Sequence, residues 1–177
     1  MSRIALSKLD DLSPTASEFV TRRGQLNVFR LLAGAPEVFD GWIRMVDAQL
    51  NSTTISGRLS ELVILRVAHL QRSRYELAQH ADVARQGGIS ESEIAAVTSD
   101  GPVTGFAPAE ATVLSFVTEL VTTRTVSAES FAAADAQLGT AAVTELLMLV
   151  SLYYGLALVL NASDVEIDRT DRLEVRR

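Results

Sequence analysis

From Leu146 to Leu160 this chain runs fifteen residues without a charge. Such a run cannot face water along its whole length and has to be covered by protein or by lipid. A bilayer-spanning helix takes about 20 apolar residues, and Glu145 stands at the edge of this run. A core or subunit-interface helix over about Ala141 to Asn161 is therefore the expectation, with no membrane as partner. A small monomer can hardly bury a helix that is apolar nearly all round, so the same run predicts a homo-oligomer.

The remaining chain is punctuated as helices. No long run of Val, Ile, Thr and aromatic residues with period two lies between the helical patterns, which predicts an all-α fold. Ser17 to Ala33 reads as one helix, with Gly34 and Pro36 as stop and restart signals for a second that reaches about Gln49. The polar stretch Asn51 to Gly57 connects it to a helix from about Arg58 to Gln71. Ser73-x-x-Glu76 and Ser90-x-x-Glu93 each have the form of a capping box, and Gly87-Gly88 ends the helix between them. Pro108 opens a helix with an inward stripe of Val113, Leu114, Val117, Leu120 and Val121, and Ser127 and Gly139 bracket a shorter one. The 177 residues suffice for one domain with a sizeable core and are too few for two. Residues 1–14 are expected to form a loosely held arm, 15–165 a single helical domain and 166–177 a charged, solvated tail.

Composition removes several functions. A net charge of −6 with scattered arginines leaves no basic face for phosphate backbones, so nucleic acid is not an expected partner. The absence of cysteine excludes disulfides, thiolate metal sites and thiol catalysis. The N-terminal MSRIALSKLDDLSP has charges where an export signal needs an apolar core, and a cytoplasmic location is the default expectation.

Chemistry concentrates between Glu61 and His80. On a helical wheel Ile64, Leu65 and Ala68 flank Glu61, so its carboxylate points toward packing. Either it is held by the helix dipole or an arginine, or it belongs to a site and has a raised pKa and a partner of its own. Glu76 and His80, four residues apart, share one face of the next helix; a carboxylate over an imidazole can fix its tautomer and make it a general acid or base. The plainer alternatives are that Glu76 only completes its capping box and that His80 is a satisfied core residue. Tyr75 at the helix start could reach a ligand or simply pack. Arg66 is semi-buried and needs an anion, either an acidic side chain of this protein or a substrate carboxylate. His69 is assigned no more than an interior hydrogen bond. Glu61, Glu76 and His80 are a poor metal set without a second histidine, and no metal is expected.

These residues resemble a family. Leu59-Ser60-Glu61-Leu62-Val63-Ile64-Leu65-Arg66-Val67-Ala68, followed by Ser73-Arg74-Tyr75-Glu76 and His80, is similar to the core of the carboxymuconolactone decarboxylase and alkylhydroperoxidase D superfamily. The likeness extends more weakly to Asn27-Val28-Phe29-Arg30, Tyr153-Tyr154 and Asn161. It implies a compact, oligomeric multi-helix bundle. In the peroxidase branch a Cys-x-x-Cys would fall on Ser73 and Glu76; with both thiols replaced, peroxide reduction is rejected. The decarboxylase-like branch, with Tyr-Glu-x-x-x-His, implies a cofactor-free enzyme acting on a small anionic organic acid or lactone. In it His80 is the acid, Glu61 its relaying partner, Tyr75 and Glu76 polar groups of the pocket, and Ser73 and Arg66 substrate contacts. The competing expectation is a non-catalytic helical oligomer that binds a ligand or partner.

Overall fold

The structure, a computed structural model, describes residues 2–168, and every regular element among them is helical. The α-helices are α1 Pro14–Arg22, α2 Asn27–Leu32, α3 Pro36–Asn51, α4 Gly57–Leu70, α5 Arg74–Gln86, α6 Glu91–Val97, α7 Pro108–Thr123, α8 Ala128–Leu138 and α9 Thr140–Ser163. The helix expected over Ser17 to Ala33 is two helices. Gly24 and Gln25 adopt positive φ (74° and 55°), a left-handed turn that stops α1 and lets the chain restart at α2.

Caps explain most of the other boundaries. The Ser56 and Ser127 side chains accept from the backbone N–H three residues on, opening α4 and α8, which satisfies one orphan donor of each first turn. Ser90 and Glu93 form the full reciprocal capping box at α6. Ser90→Ala should destabilise the protein by about 1 kcal/mol, read as a fall in Tm of roughly 2–4 °C in thermal unfolding.

The chain divides into two compact units. One is Ser52–Val159, in which α4 packs against α5, α6 and α7, and α7 packs against α8. Its core includes Leu62, Leu65, Ala84, Ile89, Ile94, Val97 and Leu114. Arg58 near the start of α4 bonds to Glu93 of α6 and Glu110 of α7, tying three helix beginnings together. In α9, Leu146, Leu149, Val150, Tyr153 and Ala157 are buried while Met148, Leu158 and Val159 are exposed. By length and composition alone α9 could cross a bilayer, yet these buried residues are covered by protein.

The other unit joins the described residues of Met1–Asn51 and Leu160–Arg177. Phe19 packs edge-on to Phe29 and Phe39, and Phe39 stacks on Trp42. Arg22 and Arg23 both bond to Asp47. Near the N-terminus, the Arg3 N–H donates to the Ser163 carbonyl and the Ser7 N–H to the Arg30 carbonyl. At the other end Asp168 is buried and its carboxylate accepts from the Asn27 N–H. Of the tail expected over 166–177, residues 169–177 lie outside the described residues.

Candidate active site

The turn from α4 to α5 spans Gln71 to Ser73, with Arg72 at φ 54°, so the two helices fold back on each other at close range. One face of α4 brings in Glu61 and the second turn of α5 brings in His80. Glu61 Oε2 lies 2.8 Å from His80 Nδ1. Both side chains are largely covered, 15% and 17% exposed. Burial alone would lower the His80 pKa, but the charge and hydrogen bond of Glu61, with the charge of Glu76 behind them, hold it above the ordinary 6.5. Nδ1–H donates to the carboxylate, which leaves Nε2 as the nitrogen for proton exchange. Tyr153 of α9 packs edge-on against the imidazole at 5.1 Å and 85°, holding the ring from another side.

Glu76 lies one turn before His80 and is 2% exposed. Burial pushes its pKa up to about 7, against small opposing effects from the Ser73 hydroxyl and the His80 charge. The capping box expected here does not form. Ser73 is the N-cap of α5, but its side chain caps nothing and its backbone N–H already donates to the Ala68 carbonyl. The Glu76 carboxyl, with no free N–H to return to, is turned into the protein. The Ser73 hydroxyl is close enough to pull the carboxyl's pKa down, yet both carboxyl oxygens and the hydroxyl lack a well-formed hydrogen bond among the described residues.

This placement has a measurable consequence for stability. A carboxyl whose pKa is 4.5 when unfolded and about 7 when folded stabilises the fold below pH 4.5 and loses that contribution as pH rises to about 7, because the folded state holds the extra proton. Glu76→Gln should therefore match the wild type near pH 4. By pH 8 it should be more stable by up to about 3 kcal/mol, as measured by urea unfolding across that range.

The other expected site residues are placed differently. Tyr75, in the first turn of α5, and Ser73 are buried on the same helix as Glu76. Arg66 is 2% exposed, and the anion expected for it is replaced by neutral acceptors. Its Nε donates to Thr118 Oγ1 (2.9 Å), and Nη1 donates to the carbonyls of Val97 (3.2 Å) and Ser99 (2.6 Å). The guanidinium is thus committed to α7 and the end of α6, about 140° around α4 from Glu61. His69 pairs with Asp100 at 3.0 Å. Two members of the site escaped the sequence reading: Gln79, three residues after Glu76, and Tyr153. Helical spacing from Glu76 would have found Gln79; no local signal joins Tyr153 to a histidine 73 residues earlier in the chain.

Residues 36–119, which carry Glu61, Ser73, Tyr75, Glu76 and His80, match the sequence pattern of the carboxymuconolactone decarboxylase family. The segment that holds the Glu61–His80 pair, just under half of the chain, is thus similar to that family. No protein of curated function matches it significantly. Among solved structures it is similar to the alkylhydroperoxidase AhpD core of an uncharacterized peroxidase-related protein from Ralstonia eutropha, with TM-score 0.85, 16% identity, and 99% of this chain covering 98% of that one. An uncharacterized peroxidase-related protein from a Silicibacter species gives TM-score 0.84 and 12% identity over 99% of this chain and 96% of that one. The debrominase Bmp8 gives 0.80 and 14% over 96% and 94%. At these identities the likeness is one of fold. Within the matched segment Glu61 and His80 are hydrogen-bonded and cysteine is absent.

Proposed function

We propose that Glu61 and His80 form the acid–base centre of a cofactor-independent enzyme acting on a small organic acid or lactone, by decarboxylation or a related proton transfer at carbon. The observation that carries this reading is the 2.8 Å bond between a largely buried carboxylate and an imidazole, which favours the protonated ring and fixes which nitrogen it presents. In the decarboxylation of a carboxylated unsaturated lactone the C–C bond to the carboxylate breaks and carbon dioxide leaves. The electron pair delocalises into the lactone carbonyl and returns to form a C–H bond with the proton on His80 Nε2. Solvent then reprotonates the ring. The substrate is its own electron sink. The family match and a structural neighbour that is an enzyme, the debrominase, support catalysis on a small molecule.

The test is a panel of carboxylated lactones and unsaturated acids in deuterated water, read for carbon dioxide release and for deuterium at the adjacent carbon. For a turned-over substrate, kcat/KM should fall on the alkaline side as His80 loses its proton at a pKa above 6.5. In Glu61→Gln that limb should move to lower pH, since the charge and acceptor that raise the pKa are removed. A limb that stays in place would separate Glu61 from the chemistry.

The exposed Met148, Leu158 and Val159 on α9 also favour self-association. Light scattering at micromolar concentration should return a multiple of the 19.1 kDa chain; a value near 19.1 kDa would leave this face uncovered.

A further inference from the structure

Four buried polar atoms of α5 and its cap have no well-formed hydrogen bond among the described residues: Ser73 Oγ, Glu76 Oε1 and Oε2, and Gln79 Oε1. Their residues are 0%, 2% and 6% exposed. At about 100° per residue they occupy one strip of the helix, about 120° wide, that also contains His80. Buried acceptors are nearly always bonded, and a bare buried carboxylate is among the costliest exceptions. The strip is rich in acceptors and poor in donors: a glutamine carbonyl only accepts, an ionised carboxylate only accepts, and a hydroxyl can do either. The buried arginine of the neighbouring helix, Arg66, is spent on Thr118, Val97 and Ser99. Glu61 adds negative charge beside His80.

We infer that this strip of α5 seats the hydrogen-bond donors of the substrate: the end of the molecule that lies on Glu76 and Gln79 is uncharged and carries hydroxyl or N–H groups. The position of the reacting carbon, at His80 Nε2, rests on the acid–base reading above; the donor seat does not depend on it. A carboxylate on the strip would face the acceptors of Glu76 and Gln79 with no cation opposite, so a substrate carboxylate, where there is one, lies nearer the His80 imidazole N–H.

The test uses three small ring probes on the full chain, titrated by calorimetry or protein-observed NMR: resorcinol, its dimethyl ether and benzoate. Resorcinol should bind more tightly than either of the others by about tenfold or more, the equivalent of two lost hydrogen bonds. Glu76→Leu and Gln79→Leu should each erase most of that preference, while His80→Gln should retain it. Equal affinity for the three probes, a preference for benzoate, no resorcinol binding by the wild type, or a preference that survives both leucine variants would each overturn the seat. If Glu76→Leu does not fold, the probe ranking in the wild type and in Gln79→Leu decides. Resorcinol preference without turnover of any acid or lactone leaves the seat standing and removes the proposed reaction; turnover without the preference does the reverse.

Discussion

Replacing His80 by glutamine should lower kcat/KM for a turned-over substrate on the order of 10²–10⁴-fold, with little change in Tm. Glutamine can still donate to Glu61 and fills most of the space against Tyr153, but it cannot carry or release a proton at any usable pH. The same substitution separates the two classes of function open to this chain. In a helical module that only binds a ligand, His80 is a structural group between Glu61 and Tyr153. Its replacement would then alter stability or ligand affinity and leave no rate to lose. Steady-state kinetics and thermal unfolding on one preparation distinguish them, and an unchanged kcat/KM would remove His80 from the chemistry.

Arg66→Ala should destabilise the fold by about 3–5 kcal/mol, lowering Tm on the order of 10 °C. The side chain is fully enclosed and donates to two carbonyls and a hydroxyl; truncation leaves those acceptors bare and opens a large cavity. Burial pulls the guanidinium pKa down, with only the charge of Asp100 opposing it, so the group sits there at a cost that its hydrogen bonds offset. A substrate-binding arginine would behave otherwise, with KM rising and Tm holding. Urea unfolding beside Michaelis kinetics tells these apart.

The helical fold was legible because its signals are local. Apolar spacing marked α4, α5, α7 and α9, and serine caps marked α4, α6 and α8. The break between α1 and α2 was missed because Arg22-Arg23-Gly24 passes as helix unless Gly24 is taken as a left-handed stop. The Glu61–His80 meeting was approachable from sequence, since both lie on inward faces of consecutive helices. The role of Glu76 was not, because Ser-x-x-Glu looks the same whether the acid returns to the cap or turns inward; what decides is the Ser73 N–H, already given to Ala68. The partners of Arg66 were hidden for a similar reason: two of them are main-chain carbonyls, 31 and 33 residues away, and carbonyls carry no residue identity.

Glu61 and His80 are separated by 19 positions on a helical hairpin, so bringing them together closes a short loop at small entropic expense. Contacts of such low sequence separation form early relative to distant ones. During synthesis the pair can therefore meet well before Tyr153 has been added to the growing chain, and the aromatic ring that steadies the imidazole arrives as a finishing step of assembly.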